Sequence, residues 1–315
     1  MQKYKKIAFL FPGQGAQYPG MAKEFVENHA LAKETFQEAD EILGRKISDI
    51  ILNGPEKTLT ETRNSQTGIY VASLAMLRVI QKLFPNLKPS VTAGLSLGEY
   101  TALTASDRLP FKPGLNLVQN RGQFMNDACE ANKGTMAVII GLEGPVVEQL
   151  VREVNLPNDL WAANFNCPGQ VVLSGTVKGI QVGTDAAKAK GAKMVIPLQV
   201  HGAFHSGLMK QAEERLKEHI EQAPLVDSSI GLVMNVPGDF VSAIPEIRNN
   251  LIKQVTSPVR WEQGIRAMAN AGVDLFVEIG PGKTLTGFIK KIPFPVPIPS
   301  ISIEKVKDLE LLSKD

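Results

Sequence analysis

A serine flanked by two glycines is the residue of this chain with the clearest setting for a nucleophile. Gly94, Ser96 and Gly98 form the pattern G-x-S-x-G in the stretch "AGLSLGEY". A short apolar run precedes the pattern and a helical pattern follows it, which is the strand–turn–helix setting of a nucleophile elbow. The glycines permit a sharp turn, and a helix N-terminus beside the serine can stabilise an oxyanion. A serine that only caps the helix is the alternative.

A nucleophilic serine needs a base, and the chain has four histidines. His29 and His219 fall in charged helical patterns. His201 and His205 lie together in "VHGAFHSGLM", between a predicted strand and a helix, and a loop at a strand end suits a catalytic base. No acidic residue stands out at a strand end between Ser96 and this pair. A Ser-His-Asp esterase is therefore a poor fit.

The elements that would position these residues alternate between strand and helix. Short apolar runs predict buried strands at Ile7–Phe11, 90–93 and 274–279. Apolar residues at three- and four-residue steps predict helices at 21–43, 67–84, from 100 onward, 206–222 and 260–271. This alternation predicts a parallel α/β sheet. The proline-rich residues 293–299 are expected to run extended over the surface.

A different order of elements occupies the middle of the chain. The apolar patterns there predict strands and helices in the order β-α-β-β-α-β, at 135–140, 145–154, 160–166, 170–174, 177–190 and 193–198. That order is typical of the ferredoxin-like unit. We therefore expect an α/β fold with an α/β-hydrolase-like catalytic subdomain, residues 1–130 and 199–315. A ferredoxin-like subdomain, residues 131–198, would be inserted into it.

Composition and charge exclude several classes of protein. The formal net charge of +2 creates no overall basic field, so nucleic-acid binding is not expected. Cys129 and Cys167 are too few and too distant for a disulfide framework, and they fit a reducing compartment. The first apolar run is too short for a secretory signal, and no run has the roughly 20 apolar residues of a membrane span. We expect a cytoplasmic protein that does not bind membranes.

Seven ordered segments carry a resemblance to a known family, and they extend from about Lys6 to about Ile292. They read "FPGQGAQYPGM" at 11–21, "GLSLGEYTAL" at 94–103, "NRGQFM" at 120–125, "NFNCPGQVVLSG" at 164–175, "GAFHSGLM" at 202–209, "QVTSPVRWEQ" at 254–263 and "EIGPGKTLTGF" at 278–288. In these segments the chain resembles the malonyl-CoA:acyl carrier protein transacylases. Their number and order make the resemblance highly specific.

The resemblance implies a ping-pong reaction through a covalent intermediate. Ser96 would attack the malonyl-CoA thioester, and the phosphopantetheine thiol of acyl carrier protein would then accept the malonyl group. His205 would act as general base and acid, whereas His201 would be a polar loop residue. The family orients its histidine through backbone carbonyls and a glutamine, here Gln254, which accounts for the missing acidic residue. No metal or other cofactor is implied.

The resemblance also implies a set of substrate-binding residues. Arg121 would pair with the malonyl carboxylate through two parallel hydrogen bonds and discriminate against a neutral acetyl group. Backbone N–H groups of Gln14 and Leu97 would form the oxyanion hole. Phe204 would crowd an α-methyl branch and so favour malonyl over methylmalonyl. Two further residues could line the pocket or be structural: Asn164 and Gln66.

One position departs from the family pattern. The residue before the nucleophile is often histidine in this family, and here it is Leu95. Leucine cannot hydrogen-bond to a bound acyl group, so recognition of the carboxylate differs in detail while the basic chemistry does not.

Several functions remain as alternatives at this point. The implied partners are a CoA thioester and the acyl carrier protein of fatty acid synthesis, and we expect a monomer. A stand-alone acyltransferase serving a polyketide synthase would use the same chemistry. A carrier-protein docking module would keep the fold without the reaction. "EIGPGKTL" contains Gly-Lys-Thr, but Val277 stands where a nucleotide-binding P-loop requires glycine.

Overall fold

Two separate β-sheets organise the structure, a computed structural model that describes residues 4–200 and 202–313. The strands in chain order are β1 (Ile7–Phe11), β2 (Val91–Gly94), β3 (Thr135–Ile140), β4 (Leu160–Cys167), β5 (Gln170–Gly175), β6 (Met194–Pro197), β7 (Gly231–Met234), β8 (Asp239–Phe240), β9 (Leu275–Ile279) and β10 (Ser300–Ile303). The helices are α1 (Lys23–Asn28), α2 (Ala30–Leu43), α3 (Ile47–Asn53), α4 (Glu56–Thr60), α5 (Thr62–Leu83), α6 (Gly98–Ala105), α7 (Phe111–Ala131), α8 (Gly144–Val154), α9 (Val177–Ala189), α10 (Lys210–Gln222), α11 (Ile244–Gln254), α12 (Trp261–Asn270), α13 (Thr284–Ile289) and α14 (Glu310–Ser313). Short 3-10 helices form at Gly207–Met209 and Val306–Leu309.

The larger sheet has six strands in the order β10-β9-β1-β2-β7-β8. Its strand pairs are parallel apart from the terminal pair β7–β8, which is antiparallel. Strand β1 is buried along its whole length, with Phe9 and Phe11 in one apolar core and Ala8 and Leu10 in another. Burial on both faces explains why β1 has an unbroken apolar sequence. The predicted α/β fold with a parallel sheet is confirmed.

The carboxyl ends of the central strands meet at one edge of this sheet. Phe11 at the end of β1 pairs with Gly94 at the end of β2, and Ala93 pairs with Val233 near the end of β7. The loops that follow these strands therefore leave the sheet side by side. In open α/β sheets this edge is where ligands bind.

The smaller sheet is antiparallel, with the strand order β4-β5-β3-β6. Together with α8 and α9 it has the β-α-β-β-α-β order of a ferredoxin-like unit, as the sequence predicts. A separate apolar core joins residues of the strands to residues of both helices. The backbone of β4 also exchanges hydrogen bonds with Val259: Phe165 N–H donates to the Val259 carbonyl, and Val259 N–H donates to the Ala163 carbonyl. These bonds attach the smaller sheet to the segment before α12.

The structure corrects one predicted helix. The pattern over residues 21–43 predicts a single helix, but it is divided into α1 and α2 at His29, whose backbone is extended. His29 N–H donates to the Phe25 carbonyl and its own carbonyl accepts from Ala32 N–H, so His29 hydrogen-bonds to both helices at the break. His29 is half-buried rather than on a solvated helix face, whereas His219 is exposed on α10 as expected.

Several elements have no counterpart in the sequence analysis. Strands β7, β8 and β10 span four residues or fewer, and runs this short carry little periodicity. Helix α11 has a detectable signal, because Ile247 and Leu251 are one turn apart and both are buried. Within the described part of the chain, no helix combines the length and apolar character needed to cross a membrane.

Candidate active site

Ser96 lies on a sharp turn between β2 and α6. Its backbone φ is 53°, a left-handed conformation that is uncommon for a residue with a side chain. The neighbouring glycines are required by close packing. A Cβ on Gly94 would lie 1.9 Å from the Gly98 carbonyl carbon, and one on Gly98 would lie 2.1 Å from the Phe11 carbonyl oxygen. A strained serine between a strand and a helix, with close packing at both glycines, is the geometry of a nucleophile elbow. The alternative role of the serine is not seen, because α6 begins without a side-chain cap.

Asn235, directly after β7, holds the elbow in place. Its side-chain Oδ1 accepts from Ser96 N–H at 2.6 Å, and its Nδ2 donates to the Gly94 carbonyl at 2.7 Å. Sequence reasoning missed this residue. The two hydrogen bonds satisfy backbone groups that the turn leaves unpaired, which stabilises the strained conformation.

His205 is the histidine that meets the serine. Its Nε2 lies 2.8 Å from Ser96 Oγ, and its Nδ1 lies 2.8 Å from the backbone carbonyl oxygen of Gln254. Both side chains are buried, with Ser96 at 9% exposure and His205 at 4%. Burial, followed by the charge of Arg121, lowers the pKa of His205 to about 4. The imidazole is therefore neutral at pH 7 and able to accept a proton. His201 lies outside the described residues.

Arg121 approaches the serine from α7. It is 1% exposed, and its Nη2 donates to Ser96 Oγ at 3.0 Å and to Gln254 Oε1 at 2.8 Å. Its Nη1 donates to Gln66 Oε1 at 2.6 Å. These partners are neutral oxygens, and no carboxylate of the described residues lies within ion-pair distance of the guanidinium. The site thus holds a buried positive charge that an anionic group could neutralise.

Gln254 is the last residue of α11 and is fully buried. Its side-chain Nε2 donates to the Ser96 carbonyl at 3.0 Å and to Oε2 of Glu99 at 2.6 Å. Its Oε1 accepts from Arg121. One glutamine therefore contacts the histidine through its backbone, and the serine and arginine through its side chain. Glu99 was not singled out by sequence reasoning, although it lies within the serine motif itself.

The resemblance implies that the backbone N–H groups of Gln14 and Leu97 form the oxyanion hole. Leu97 follows Ser96 directly, and Gln14 lies in the loop after β1, which contributes to the same cavity as Ser96. Among residues 4–200 and 202–313, neither N–H has a hydrogen-bond acceptor. The Gln14 side chain is held by Gln66 Nε2, 3.3 Å from Gln14 Oε1, and by Thr62. Both N–H groups remain available to a developing oxyanion.

A cavity of about 270 Å³ opens onto Ser96 and His205 between the two sheets. Leu95, Phe204 and Asn164 line it. Gln66 does not line it, but its Nε2 donates to two residues that do, at 3.3 Å to Gln14 Oε1 and at 3.4 Å to Met125 Sδ. Asn166, a residue of β4, also lines the cavity. Sequence reasoning missed it, because only the folded structure shows that this part of β4 faces the cavity. Large apolar side chains also contribute to the wall: Met125, Met136, Val172, Leu198, Val200 and Phe288.

The Gly-Lys-Thr segment does not form a phosphate site. The carboxylate of Glu278 accepts hydrogen bonds from Leu285 N–H at 3.0 Å and from Thr286 N–H at 2.8 Å, at the start of α13. Burial raises the pKa of this carboxyl group. A carboxylate of the chain itself therefore occupies the helix N-terminus that a nucleotide phosphate would need.

Comparison with known proteins gives relatives over almost the whole chain. The acyl transferase domain family matches residues 8–292. The malonyl CoA-acyl carrier protein transacylase of Bacillus subtilis is 44% identical over 288 residues, covering 91% of this chain and 90% of the relative. The enzyme of the same name from Haemophilus influenzae is 37% identical over 288 residues, covering 91% of this chain and 92% of the relative.

Solved structures agree with these matches. The malonyl CoA-acyl carrier protein transacylase of Clostridium perfringens superposes with a TM-score of 0.92 at 34% identity, covering 98% of this chain and 96% of that one. A malonyl-transacylase solved with its type II polyketide acyl-carrier protein gives 0.92 at 35% identity, covering 97% and 98%. This chain belongs to the acyl transferase family, within the group of malonyl CoA-acyl carrier protein transacylases.

Proposed function

We propose that this protein transfers a malonyl group from malonyl-CoA to the phosphopantetheine thiol of an acyl carrier protein through a malonyl-Ser96 ester. One observation carries the proposal: Ser96 Oγ lies within 3.0 Å of both an imidazole nitrogen and a guanidinium nitrogen in a buried cleft. The first group can remove the serine proton, and the second can bind the carboxylate that distinguishes malonyl from acetyl.

The first half-reaction acylates the serine. His205 Nε2 takes the Oγ proton as the oxygen attacks the thioester carbon, and the carbonyl oxygen becomes an oxyanion. The N–H groups of Gln14 and Leu97 donate to that oxyanion. When the tetrahedral intermediate collapses, the carbon–sulfur bond breaks, and the imidazolium returns its proton to the sulfur of CoA. The product is the malonyl ester of Ser96 with free CoA.

The second half-reaction runs the same steps in reverse with a different thiol. The phosphopantetheine thiol of the carrier protein gives its proton to His205 and attacks the ester carbonyl. The ester C–O bond breaks, the proton passes to Ser96 Oγ, and malonyl carrier protein leaves. The apolar wall of the cavity suits the pantetheine arm and limits the entry of water, which would otherwise hydrolyse the ester.

Arg121 and Phe204 select the acyl group in this scheme. The guanidinium binds the malonyl carboxylate, and burial makes an unpaired charge costly when the acyl group is neutral. Phe204 crowds a branched acyl group. Because a methyl group in a pocket is worth only about 1–3 kcal/mol, we expect the preference for malonyl over methylmalonyl to be partial.

The cellular setting belongs to the proposal as well. The curated relatives are transacylases of this name, so we propose the carrier protein of fatty acid synthesis as the acceptor. The complex with a polyketide carrier protein favours polyketide synthesis as the second candidate. We further propose that the protein acts in the cytoplasm as a monomer and needs no metal or cofactor.

Labelled malonyl-CoA tests the proposal. The protein should become labelled, and the label should pass to holo carrier protein but not to carrier protein lacking phosphopantetheine. The Ser96→Ala variant should take up no label. Release of the label to water at the same rate with and without carrier protein would indicate a hydrolase. Carrier binding without labelling would indicate a docking module. Comparing fatty acid and polyketide carrier proteins as acceptors distinguishes the two pathways.

A further inference from the structure

A buried carboxyl group behind the nucleophile has no part in the reaction described above. Glu99 lies in the first turn of α6 and is 0% exposed. Burial raises its pKa to about 7, although hydrogen bonds from Asn235 and Gln254 and the charge of Arg121 oppose the rise. Burying a carboxyl group costs folding free energy unless it is well paired. Its hydrogen bonds indicate what the group does.

Each oxygen of Glu99 accepts from a residue that contacts the nucleophile. Oε1 accepts from Asn235 N–H at 2.6 Å, and the Asn235 side chain holds the backbone of Ser96. Oε2 accepts from Gln254 Nε2 at 2.6 Å, and Gln254 holds both the Ser96 carbonyl and Arg121. The carboxylate therefore links the support of the elbow to the support of the guanidinium.

We propose that Glu99 is a positioning residue for malonyl selectivity, acting through Gln254 on Arg121; this inference rests on the proposed function. The Gln254 amide can be turned either way, and only one orientation directs its own acceptor oxygen at Arg121. In its ionised form, which the hydrogen bonds to both oxygens favour, the Glu99 carboxylate can only accept. It then attracts Gln254 Nε2 and leaves Gln254 Oε1 directed at Arg121 Nη2. The guanidinium is thereby held beside Ser96 before substrate arrives.

The variant Glu99→Gln separates this role from simple packing. Its side chain has the same shape, but an amide has one acceptor oxygen, whereas two donors face this site, Asn235 N–H and Gln254 Nε2. If the introduced amide keeps the bond from Asn235, its NH2 group faces Gln254 Nε2. Gln254 must then turn, which presents its own NH2 group to Arg121. The guanidinium would keep Gln66 Oε1 and Ser96 Oγ as acceptors but would face a second donor where Gln254 Oε1 now accepts, which weakens its positioning.

The test is the ratio of kcat/KM for acylation by malonyl-CoA to that by acetyl-CoA, using labelled substrates. Glu99→Gln should lower this ratio about tenfold or more, because one buried donor loses its acceptor. In the Arg121→Ala background the same substitution should change the ratio less than about threefold, since the group that it positions is gone. Glu278→Gln is the matched control, because Glu278 is also a buried carboxylate that accepts from two donors. It should leave the ratio unchanged.

The outcomes separate this inference from the proposed function. Suppose that the wild-type protein takes up malonyl but Glu99→Gln lowers kcat/KM equally for malonyl-CoA and acetyl-CoA. Glu99 is then a structural residue only, and the inference is overturned. The inference is also overturned if Glu99→Gln changes the malonyl-to-acetyl ratio equally in the wild-type and Arg121→Ala backgrounds. Absence of malonyl labelling in the wild type overturns the proposed function instead. Should Glu99→Gln fail to fold, Glu99→Asp keeps the charge but is too short to reach both donors. Glu99→Asp should also lower the malonyl-to-acetyl ratio of kcat/KM, and an unchanged ratio overturns the inference.

Discussion

The ring nitrogen Nδ1 of His205 lies 2.8 Å from the backbone carbonyl oxygen of Gln254. A carbonyl oxygen only accepts hydrogen bonds, so Nδ1 carries the ring proton and Nε2 directs its lone pair at Ser96 Oγ. In a Ser-His-Asp triad a carboxylate has this orienting role and also stabilises the imidazolium. Here the carbonyl orients the ring without a negative charge. The base is correctly placed but weaker.

The protonation of His205 is the first prediction. Its pKa of about 4 lies below the ordinary value of 6.5, so the neutral base persists until the solution is well below pH 5. We expect its imidazole resonance to titrate near pH 4 in NMR of histidine-labelled protein, with the signal assigned by its loss in His205→Ala. Acylation should require the neutral ring and fall as the pH drops through that pKa. A His205 titration near pH 6.5 would contradict the prediction.

The second prediction concerns Arg121. Arg121→Ala should lower kcat/KM for malonyl-CoA about hundredfold or more, because the substrate carboxylate would lie unpaired in a buried site. Acetyl-CoA should become a better substrate, since no buried charge is left without a partner. Arg121→Lys is the control that keeps the charge and loses the planar fork, and it should recover only part of the malonyl rate. If kcat/KM fell equally for malonyl-CoA and acetyl-CoA, the guanidinium would be excluded as the carboxylate-binding group.

The third prediction concerns Phe204, which lines the cavity beside His205. Phe204→Ala should raise the methylmalonyl-to-malonyl ratio of kcat/KM about tenfold, because removing the ring makes room for the extra methyl group. Phe288→Ala is a matched control, since Phe288 lines the same cavity from α13. We expect it to leave the ratio unchanged. If both variants shift the ratio equally, general enlargement of the cavity explains the effect and Phe204 has no special role.

The fourth prediction concerns the tight packing of the elbow. Gly98→Ala would place a Cβ 2.1 Å from the Phe11 carbonyl oxygen, so β1 and α6 must move apart. We expect it to lower the free energy of unfolding by about 3 kcal/mol, measured by urea denaturation. Gly287→Ala is the control: Gly287 also lies in a helix, but an added Cβ meets nothing within 4 Å. That substitution should stabilise the protein by about 0.5–1 kcal/mol. Equal stability of the two variants would contradict the packing argument.

Local features of the sequence predict much of this structure. Strand β1 matches its predicted bounds because a five-residue apolar run that ends at Pro12 is too short for a helix and suits a strand buried on both faces. The ferredoxin-like unit follows from six short patterns in a recognisable order. The family segments bring Ser96, His205, Arg121 and Gln254 into consideration. The structure joins these four residues in one hydrogen-bond network, in which His205 bonds to the backbone carbonyl of Gln254.

Other parts of the site carry no local signal. Asn235 supports Ser96 from 139 residues away, across the pairing of β2 with β7. Glu99 is three positions from Ser96, but in the sequence it cannot be distinguished from an ordinary acidic residue in the first turn of a helix. Its role depends on Gln254, which arrives from a different helix.

The division has a physical cause. Periodicity and turn chemistry are properties of neighbouring residues, so the amino-acid order alone specifies strands, helices, the elbow glycines and the types of reactive side chain. Hydrogen bonds between buried polar groups depend on strand register and helix placement to within a few tenths of an ångström. Only the folded chain brings Glu99, Asn235 and Gln254 together, because parallel strands β1, β2 and β7 end at one edge and α11 closes over it.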